Sequence, residues 1–253
     1  MAKQFEGKVV LVTGGSSGIG RGTALAFGRE GAKVVVASRR LENLEGTVKM
    51  IKGAGGEASA VKADMGKANE VEAMVKTTVE RYGRVDIAFN NAGIGGRAVP
   101  LADQTVEEFD QIMTTNLRGV FLCMKYEIPE MLKQGSGFIV NCGSAAGVRP
   151  QVTAGTPYCT SKHGLVGLTK TAALEYAGKG IRINMVCLGT FLTEGVEQYF
   201  SHNPHVVGAI KQGIPVGRIA KPEEAAAAVM WLCSDNAAYV CGHALVVDGG
   251  KVA

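Results

Sequence analysis

Tyr158 and Lys162 are the residues of this chain whose types and spacing could together move a proton. On an α-helix, residues four positions apart lie on the same face, one turn above each other. An ammonium group held there stabilises the phenolate form of the tyrosine. The tyrosine can then give its phenolic proton to a carbonyl oxygen or, as the phenolate, take a proton from an alcohol. Tyrosine and lysine at this spacing also occur as plain surface residues, so the chemistry depends on the elements around the pair.

Seven short apolar runs alternate with segments of helical periodicity and predict those elements. Several runs are continuously apolar, which is typical of strands buried on both faces of a sheet. Strands that alternate with helices indicate right-handed βαβ units, so we expect an α/β fold with a doubly wound, seven-stranded parallel sheet and helices on both faces. The predicted strands are 9–12, 33–37, 58–61, 86–89, 137–141, 181–186 and 244–247, and the predicted helices are 20–31, 41–54, 69–82, 106–134, 158–177 and 222–233.

Residues 188–214 depart from this rhythm and fit neither a strand nor a long helix. An irregular insertion at the C-terminal end of a parallel strand is a common place for a lid over a ligand, and a plain surface excursion is the alternative. The segment contains His202 and His205, with Glu194 and Glu197 nearby. Their spacing matches no strong metal-ligand template, so we expect a solvated lid and no metal.

The composition narrows the class of protein. Hydrophobic residues make up 46% and charged residues 20%, which supports a large core and one domain over residues 1–253. The net charge of +4 and the absence of long basic runs give no support for nucleic-acid or membrane binding. Six cysteines without a Cys-x-x-Cys pair, a polar N-terminus and no long apolar stretch predict a cytoplasmic protein with reduced thiols.

Residues 13–20, Thr-Gly-Gly-Ser-Ser-Gly-Ile-Gly, connect the first predicted strand to the first predicted helix. Glycines there allow a sharp turn and let a pyrophosphate approach the amide groups at the helix N-terminus. A tight strand-to-helix connection without a ligand is the alternative. The position after a buried strand near the N-terminus favours a dinucleotide site.

Several motifs resemble those of the short-chain dehydrogenase/reductase family. Its T-G-x-x-x-G-x-G loop is matched by residues 13–20, its N-N-A-G motif by residues 90–93, and its Y-x-x-x-K motif by Tyr158 and Lys162. Residues 247–250, Val-Asp-Gly-Gly, are also similar. The motifs occur in the family's order from end to end of the chain. The chain is thus similar to single-domain members with a Rossmann fold, such as 3-oxoacyl-carrier-protein reductases and carbonyl reductases.

The resemblance implies four catalytic residues, which are Asn116, Ser144, Tyr158 and Lys162. Tyr158 would protonate the substrate carbonyl, Ser144 would orient it, and Lys162 would assist Tyr158 and hold the nicotinamide ribose. Asn116 would bind a water that links Lys162 to solvent. The family also implies a homotetramer.

The end of the second predicted strand bears on the choice of cofactor. A carboxylate about 20 residues past the glycine loop would bind the adenosine ribose of NAD(H). Ser38 stands there instead, followed by Arg39 and Arg40, whose guanidinium groups suit a phosphate. We therefore expect NADP(H), with NAD(H) possible if the arginines are only solvated. The predicted cofactor-binding residues are Gly14, Ser16, Ser17, Gly18, Ile19, Gly20, Ser38, Arg39, Arg40, Asp64, Met65, Asn91, Ala92, Gly93, Tyr158, Lys162, Gly189, Phe191 and Thr193.

These observations predict an NADP(H)-dependent reductase of a ketone or aldehyde. The alternatives are an NAD-dependent dehydrogenase of a secondary alcohol or sugar, and a dinucleotide-binding scaffold without turnover. Two positions depart from the family pattern: Leu188 replaces a common proline, and Gly143 replaces a common serine. Asp64 resembles the residue that contacts the adenine amine, or it caps a helix. Residues 94–97, 147–157 and 188–214 are expected to line the substrate pocket.

Overall fold

One parallel sheet of seven strands forms the centre of the computed structural model, which describes residues 3–253. The strands are β1 Val9–Thr13, β2 Lys33–Ser38, β3 Glu57–Lys62, β4 Ile87–Asn90, β5 Gly137–Ser144, β6 Ile181–Leu188 and β7 Ala244–Val247. Their order in the sheet is β3-β2-β1-β4-β5-β6-β7. The predicted doubly wound, seven-stranded parallel sheet is confirmed.

Helices cover both faces of the sheet. One layer contains α1, α2 and α9, and the other contains α3, α4, α5 and α6. The helices are α1 Gly18–Arg29, α2 Leu41–Gly53, α3 Ala68–Tyr82, α4 Val106–Met113, α5 Gly119–Lys133, α6 Thr156–Tyr176, α7 Glu194–His202, α8 Val206–Gln212 and α9 Pro222–Leu232. Among the helices of residues 3–253, none combines the length and the apolarity that a membrane crossing requires.

The strands supply the core of both layers because successive side chains point to opposite faces. Leu11 of β1 packs with the layer of α3, α5 and α6. Its neighbours Val10 and Val12 pack with α1, α2 and α9. All five residues of β1 are buried, which explains why its sequence is a continuous apolar run rather than an alternating one.

The candidate site lies where the winding of the sheet changes direction. β1 pairs with β2 on one side and with β4 on the other, and Thr13 is level with both Ala37 and Asn90. From β1 the chain proceeds to β2 and β3 at one edge of the sheet, and from β4 it proceeds through β5 and β6 to β7 at the other edge. In open α/β sheets this arrangement opens a crevice at the C-terminal ends of the strands, where ligands bind.

Two sequence predictions need correction. The helix predicted over 106–134 is interrupted by a wide π-helical turn at Thr114–Arg118, between α4 and α5. The segment 188–214, predicted to be irregular, contains the short helices α7 and α8. Thr193 caps α7 by accepting a hydrogen bond at Oγ1 from Val196 N at 3.4 Å, and helices this short show little periodicity in a sequence.

Candidate active site

The loop between β1 and α1 is shaped by glycines. Gly14 and Gly18 have φ angles of 66° and 51°, in the left-handed region that suits glycine. Gly20 has an ordinary φ but no room, since a Cβ there would lie 2.6 Å from Asn91 Nδ2 and would also collide with Gly14 O. Gly14 and Gly18 thus supply the backbone conformation of the turn, whereas Gly20 lets its two ends pack closely together.

Thr13 and Asn91 hold this loop against the end of β4. Thr13 Oγ1 accepts hydrogen bonds from Asn91 N at 3.0 Å and Ala92 N at 3.1 Å. Asn91 Nδ2 donates to Thr13 O at 3.1 Å and to Gly14 O at 3.3 Å. The side chain of Asn91, predicted to bind the cofactor, is therefore engaged with the loop that would cradle it.

A groove of about 390 Å³ extends from this loop across the ends of β2 and β3. It is lined at one end by Ser38, Arg39 and Arg40. Both arginines are exposed, and neither forms an ion pair within residues 3–253. The other predicted residues along the groove are Gly14, Ser16, Ser17, Gly18, Ile19, Asp64, Met65, Asn91, Ala92, Gly93 and Thr193.

Asp64 is partly committed to its own loop. Its Oδ1 accepts a hydrogen bond from Gly66 N at 3.0 Å, and its backbone N donates to Glu70 Oε2 at 2.8 Å. The first bond closes a turn at the start of the connection to α3. The alternative prediction, a helix cap, is wrong, because α3 begins after Lys67 and the Asp64 side chain closes a turn ahead of it. Asp64 also lines the groove.

Glu194 joins the glycine loop to α7, a contact that the sequence did not reveal. Its Oε2 accepts a hydrogen bond from Gly18 N at 2.7 Å, and its Oε1 pairs with Arg21 Nη1 at 2.6 Å. Arg21 also donates to Ser16 O and to Thr47 Oγ1. The first turn of α7 is thereby attached to the N-terminus of α1, where a carboxylate is favoured by the helix dipole.

A second cavity, of about 510 Å³, contains Ser144, Tyr158 and Lys162. It shares Ile19, Asn91, Gly93, Ile94 and Thr193 with the groove, so the two spaces adjoin each other. Gly189 also lines it. A ligand that extends from the groove into this cavity would reach the three predicted catalytic side chains.

The lysine lies beside the tyrosine, as the spacing predicts. Lys162 Nζ is 5.6 Å from the centroid of the Tyr158 ring. Lys162 is only 4% exposed, and its Nζ donates to Cys142 O at 2.8 Å. Burial with a single backbone acceptor leaves the ammonium with further protons to donate towards the cavity.

Ser144 ends β5 and faces the same cavity. Its Oγ accepts a hydrogen bond from Ala146 N at 3.1 Å, which fixes the side chain at the start of a short helical turn. An accepted bond leaves the hydroxyl proton able to bond an oxygen atom in the cavity. Ser144 can therefore orient a carbonyl group.

Asn116 lies in the π-helical turn and is fully buried. Its Oδ1 accepts from Ile94 N at 2.8 Å, and its Nδ2 donates to Ile94 O at 2.8 Å. The amide group thus fixes the loop after β4, whose Gly93 and Ile94 line both the groove and the second cavity. The binding of a water by Asn116 stays a prediction.

Some predicted residues lie away from both spaces. Phe191 is 3% exposed, packs in the core and lines neither space. Gly20 and Asn116 also line neither space.

His202 Nδ1 bonds to Gln198 O at 2.7 Å on α7. Within residues 3–253 no group of three His, Cys, Asp or Glu side chains is placed to hold a metal ion.

Two cysteines near the cavity are poor nucleophiles. Burial raises the pKa of the Cys142 thiol, and it raises the pKa of Cys187 to about 11. The thiolate is the reactive form, so both cysteines pack as apolar residues.

The residues present fit a dinucleotide. Gly18 and Ile19, in the first turn of α1, line the groove, and amide groups at a helix N-terminus bind anions such as pyrophosphate. The carboxylate of Glu194 occupies Gly18 N in this structure, and a pyrophosphate would take its place there. The groove adjoins the cavity lined by Ser144, Tyr158 and Lys162. The fold and the site together define an oxidoreductase of the Rossmann type.

Comparisons with known proteins agree with this class. A family model described as enoyl-(acyl carrier protein) reductase matches residues 14–251. The A-factor type gamma-butyrolactone 1'-reductase (1S-forming) of Streptomyces virginiae is 43% identical over 244 residues, which cover 96% of this chain and 95% of that protein. The crystal structure of a short-chain type dehydrogenase/reductase from Mycobacterium marinum has a TM-score of 0.91 at 36% identity and covers 99% of this chain and 97% of that chain. A variant of actinorhodin polyketide ketoreductase, solved with NADPH, has a TM-score of 0.92 at 39% identity and covers 100% and 99%.

The chain belongs to the short-chain dehydrogenase/reductase family. The members of this family are oxidoreductases that bind a nicotinamide dinucleotide. The resemblance read from the sequence motifs is confirmed.

Proposed function

We propose that the protein is an NADP(H)-dependent oxidoreductase that reduces a ketone or an aldehyde to an alcohol, in a reversible reaction. The observation that carries this proposal is that the glycine-loop groove adjoins the cavity of Ser144, Tyr158 and Lys162 and shares five lining residues with it. The polyketide ketoreductase solved with NADPH, at 39% identity, supports both the reaction and the cofactor.

Proton delivery is assigned to Tyr158. When NADPH is bound, it supplies the hydride that reduces the carbonyl carbon. Tyr158 gives its phenolic proton to the carbonyl oxygen, which Ser144 holds by a hydrogen bond. Lys162, beside the ring of Tyr158, offsets the negative charge left on the phenolate. General acid catalysis of this kind contributes about 10²–10⁴-fold in rate.

The preference for NADP(H) is assigned to the end of β2. Ser38 Oγ donates to Arg40 O at 3.2 Å, which places a small side chain where a carboxylate would repel a phosphate. Arg39 and Arg40 border the groove as exposed cations. A guanidinium group binds phosphate oxygens in a bidentate manner, so either arginine suits a 2′-phosphate.

We also propose that the protein is a cytoplasmic homotetramer. All six cysteines are free thiols, as expected in a reducing compartment. Large apolar side chains remain exposed on helices of both layers, including Phe121 at 47%, Leu174 at 86% and Trp231 at 40%. Burial of such residues between subunits would stabilise an oligomer.

The function is tested by following oxidation of NADPH and NADH with a panel of ketones, β-keto esters, sugars and steroids. We expect turnover of at least one ketone, with NADPH used at least about tenfold more efficiently than NADH, since one charge-assisted phosphate contact is worth a factor of this size. Equal use of the two dinucleotides would contradict the cofactor assignment. Oxidation of secondary alcohols with NAD alone would favour the dehydrogenase alternative.

A further inference from the structure

A chain of buried polar side chains links the strands and helices of the candidate active site. Asn90 Nδ2 donates to Glu127 Oε2 at 3.0 Å and to Asn141 Oδ1 at 3.2 Å. Asn141 Nδ2 donates to Thr169 Oγ1 at 3.0 Å, and this hydroxyl donates to Leu165 O at 2.7 Å. None of the four polar side chains is more than 1% exposed. The proposed mechanism uses none of them.

Two buried atoms of these four side chains have no hydrogen-bond partner within residues 3–253. They are Asn90 Oδ1 and Glu127 Oε1, and they belong to the same hydrogen-bonded pair. An ionised carboxylate and an amide oxygen are both acceptors, so neither can satisfy the other. Buried polar groups are almost always paired, and a buried charge without a partner is more costly still. The two orphan atoms therefore need a common explanation.

One proton on Glu127 Oε1 satisfies both atoms. A protonated carboxyl group has one donor, and a planar acid and a planar amide can form two hydrogen bonds side by side. We propose that Glu127 is a neutral carboxylic acid that donates from Oε1 to Asn90 Oδ1, and that this acid–amide pair positions the elements that carry the catalytic residues. The positioning part rests on the proposed function, whereas the protonation of Glu127 does not.

The chain connects each element of the catalytic site. Glu127 lies on α5, which continues from the π-helical turn of Asn116. Asn90 ends β4, directly before the residues that hold the glycine loop. Asn141 lies on β5, which ends at Ser144. Thr169 lies on α6, about two turns after Lys162.

The surroundings of Glu127 favour its neutral form. Burial raises the pKa of Glu127 to about 7, against a smaller lowering by the hydrogen bond from Asn90. The facing groups on β4, β5 and α6 are the neutral Asn90, Asn141 and Thr169. On α5 itself, Cys123 is fully buried, and the charge of Glu127 would raise its thiol pKa further. None of these neighbouring side chains is a cation that could balance a negative charge on Glu127.

The first test measures the protonation of Glu127 in the cofactor-free protein. Infrared difference spectra between about pH 6 and pH 8 should show the carbonyl stretch of a buried carboxylic acid that disappears at the higher pH. The same band should be absent from the isosteric variant Glu127→Gln and present in Glu72→Gln, which alters an exposed glutamate. An ionised Glu127 at pH 6, seen as equal spectra of wild type and Glu127→Gln, would overturn the proposal. This result does not depend on substrate, cofactor or the role of Tyr158.

The second test separates positioning from a merely structural role. The amide of Glu127→Gln can donate to Asn90 Oδ1 at every pH, so this variant should keep kcat within about threefold of the wild-type value. In the wild type, ionisation of Glu127 should lower kcat as the pH rises, and the variant should lose this part of the decline. Glu127→Ala should lower kcat at least about tenfold, because small displacements of catalytic groups strongly reduce rate. Identical pH profiles of kcat for wild type and Glu127→Gln would overturn the positioning role. This comparison stands even if Glu127→Ala does not fold.

Discussion

At the scale of single residues, we propose that charge at the end of β2 decides between the two dinucleotides. Arg39 is exposed beside the groove and has no carboxylate to hold it elsewhere within residues 3–253. Arg39→Gln should raise the KM for NADPH by about tenfold and leave the KM for NADH nearly unchanged, because a hydrogen bond to a charged group contributes about 1.5–3 kcal/mol. Steady-state kinetics with both dinucleotides measure this.

The matched control is Arg29→Gln, which removes another exposed arginine, from the last turn of α1. Both KM values should then stay at the wild-type level. If Arg39→Gln and Arg29→Gln behave alike, Arg39 does not bind the 2′-phosphate.

The proposed catalytic residues could be named from the sequence because their motifs are short. Tyr158 and Lys162 stand at helical spacing, and the resemblance to the family implied Ser144 and Asn116. Other parts of the site depend on contacts between distant residues. Glu194 and Gly18 meet across 176 positions of the chain, and no local pattern announces that contact. Only the fold reveals which exposed glutamate reaches the glycine loop.

At the scale of elements, the attachment of α7 to the glycine loop depends on one carboxylate. Glu194→Gln should speed hydrogen exchange of the backbone amides in 194–202, because it removes the ion pair with Arg21 and weakens the bond from Gly18 N. The Tm should change little, since the Glu194 side chain is 51% exposed and such pairs contribute at most about 1 kcal/mol.

Glu197→Gln provides the control on the same helix, one turn further along. Its exchange rates should match those of the wild type. Equal exchange in both variants would show that Glu194 does not hold α7 in place.

The elements themselves were predictable to different degrees. Buried strands such as β1 and β5 stand out as apolar runs, so the sheet is confirmed in full. The π-helical turn at Thr114–Arg118 was missed because one wider turn hardly alters the apolar periodicity of a long helix. The helices α7 and α8 were missed because each spans only two or three turns.

At the scale of the whole molecule, Glu127 makes stability depend on pH. Its pKa is about 7 in the folded protein and near the ordinary value of 4.5 in the unfolded chain. The folded protein therefore binds one more proton between these values, and the free energy of unfolding falls as the pH rises from about 4.5 to 7. The total loss is about 3 kcal/mol, at about 1.4 kcal/mol for each pH unit.

Glu127→Gln removes this dependence. Thermal unfolding at pH 5 should give similar Tm values for wild type and variant, whereas at pH 8 the variant should be more stable. Glu72→Gln, at an exposed position, should follow the wild type at both pH values. A difference in Tm between wild type and Glu127→Gln that does not grow with pH would show that Glu127 is not a buried acid that titrates in this range.

The proton donor is the centre of the account and has the most direct test. Tyr158→Phe removes only the phenolic oxygen and keeps the ring that lies 5.6 Å from Lys162 Nζ. With saturating NADPH and an active ketone, the rate of reduction in a single turnover should fall at least about 10²-fold, while the dissociation constant of NADPH stays nearly unchanged. Reduction by Tyr158→Phe at nearly the wild-type rate would contradict the account, because the carbonyl oxygen would then take its proton from another group.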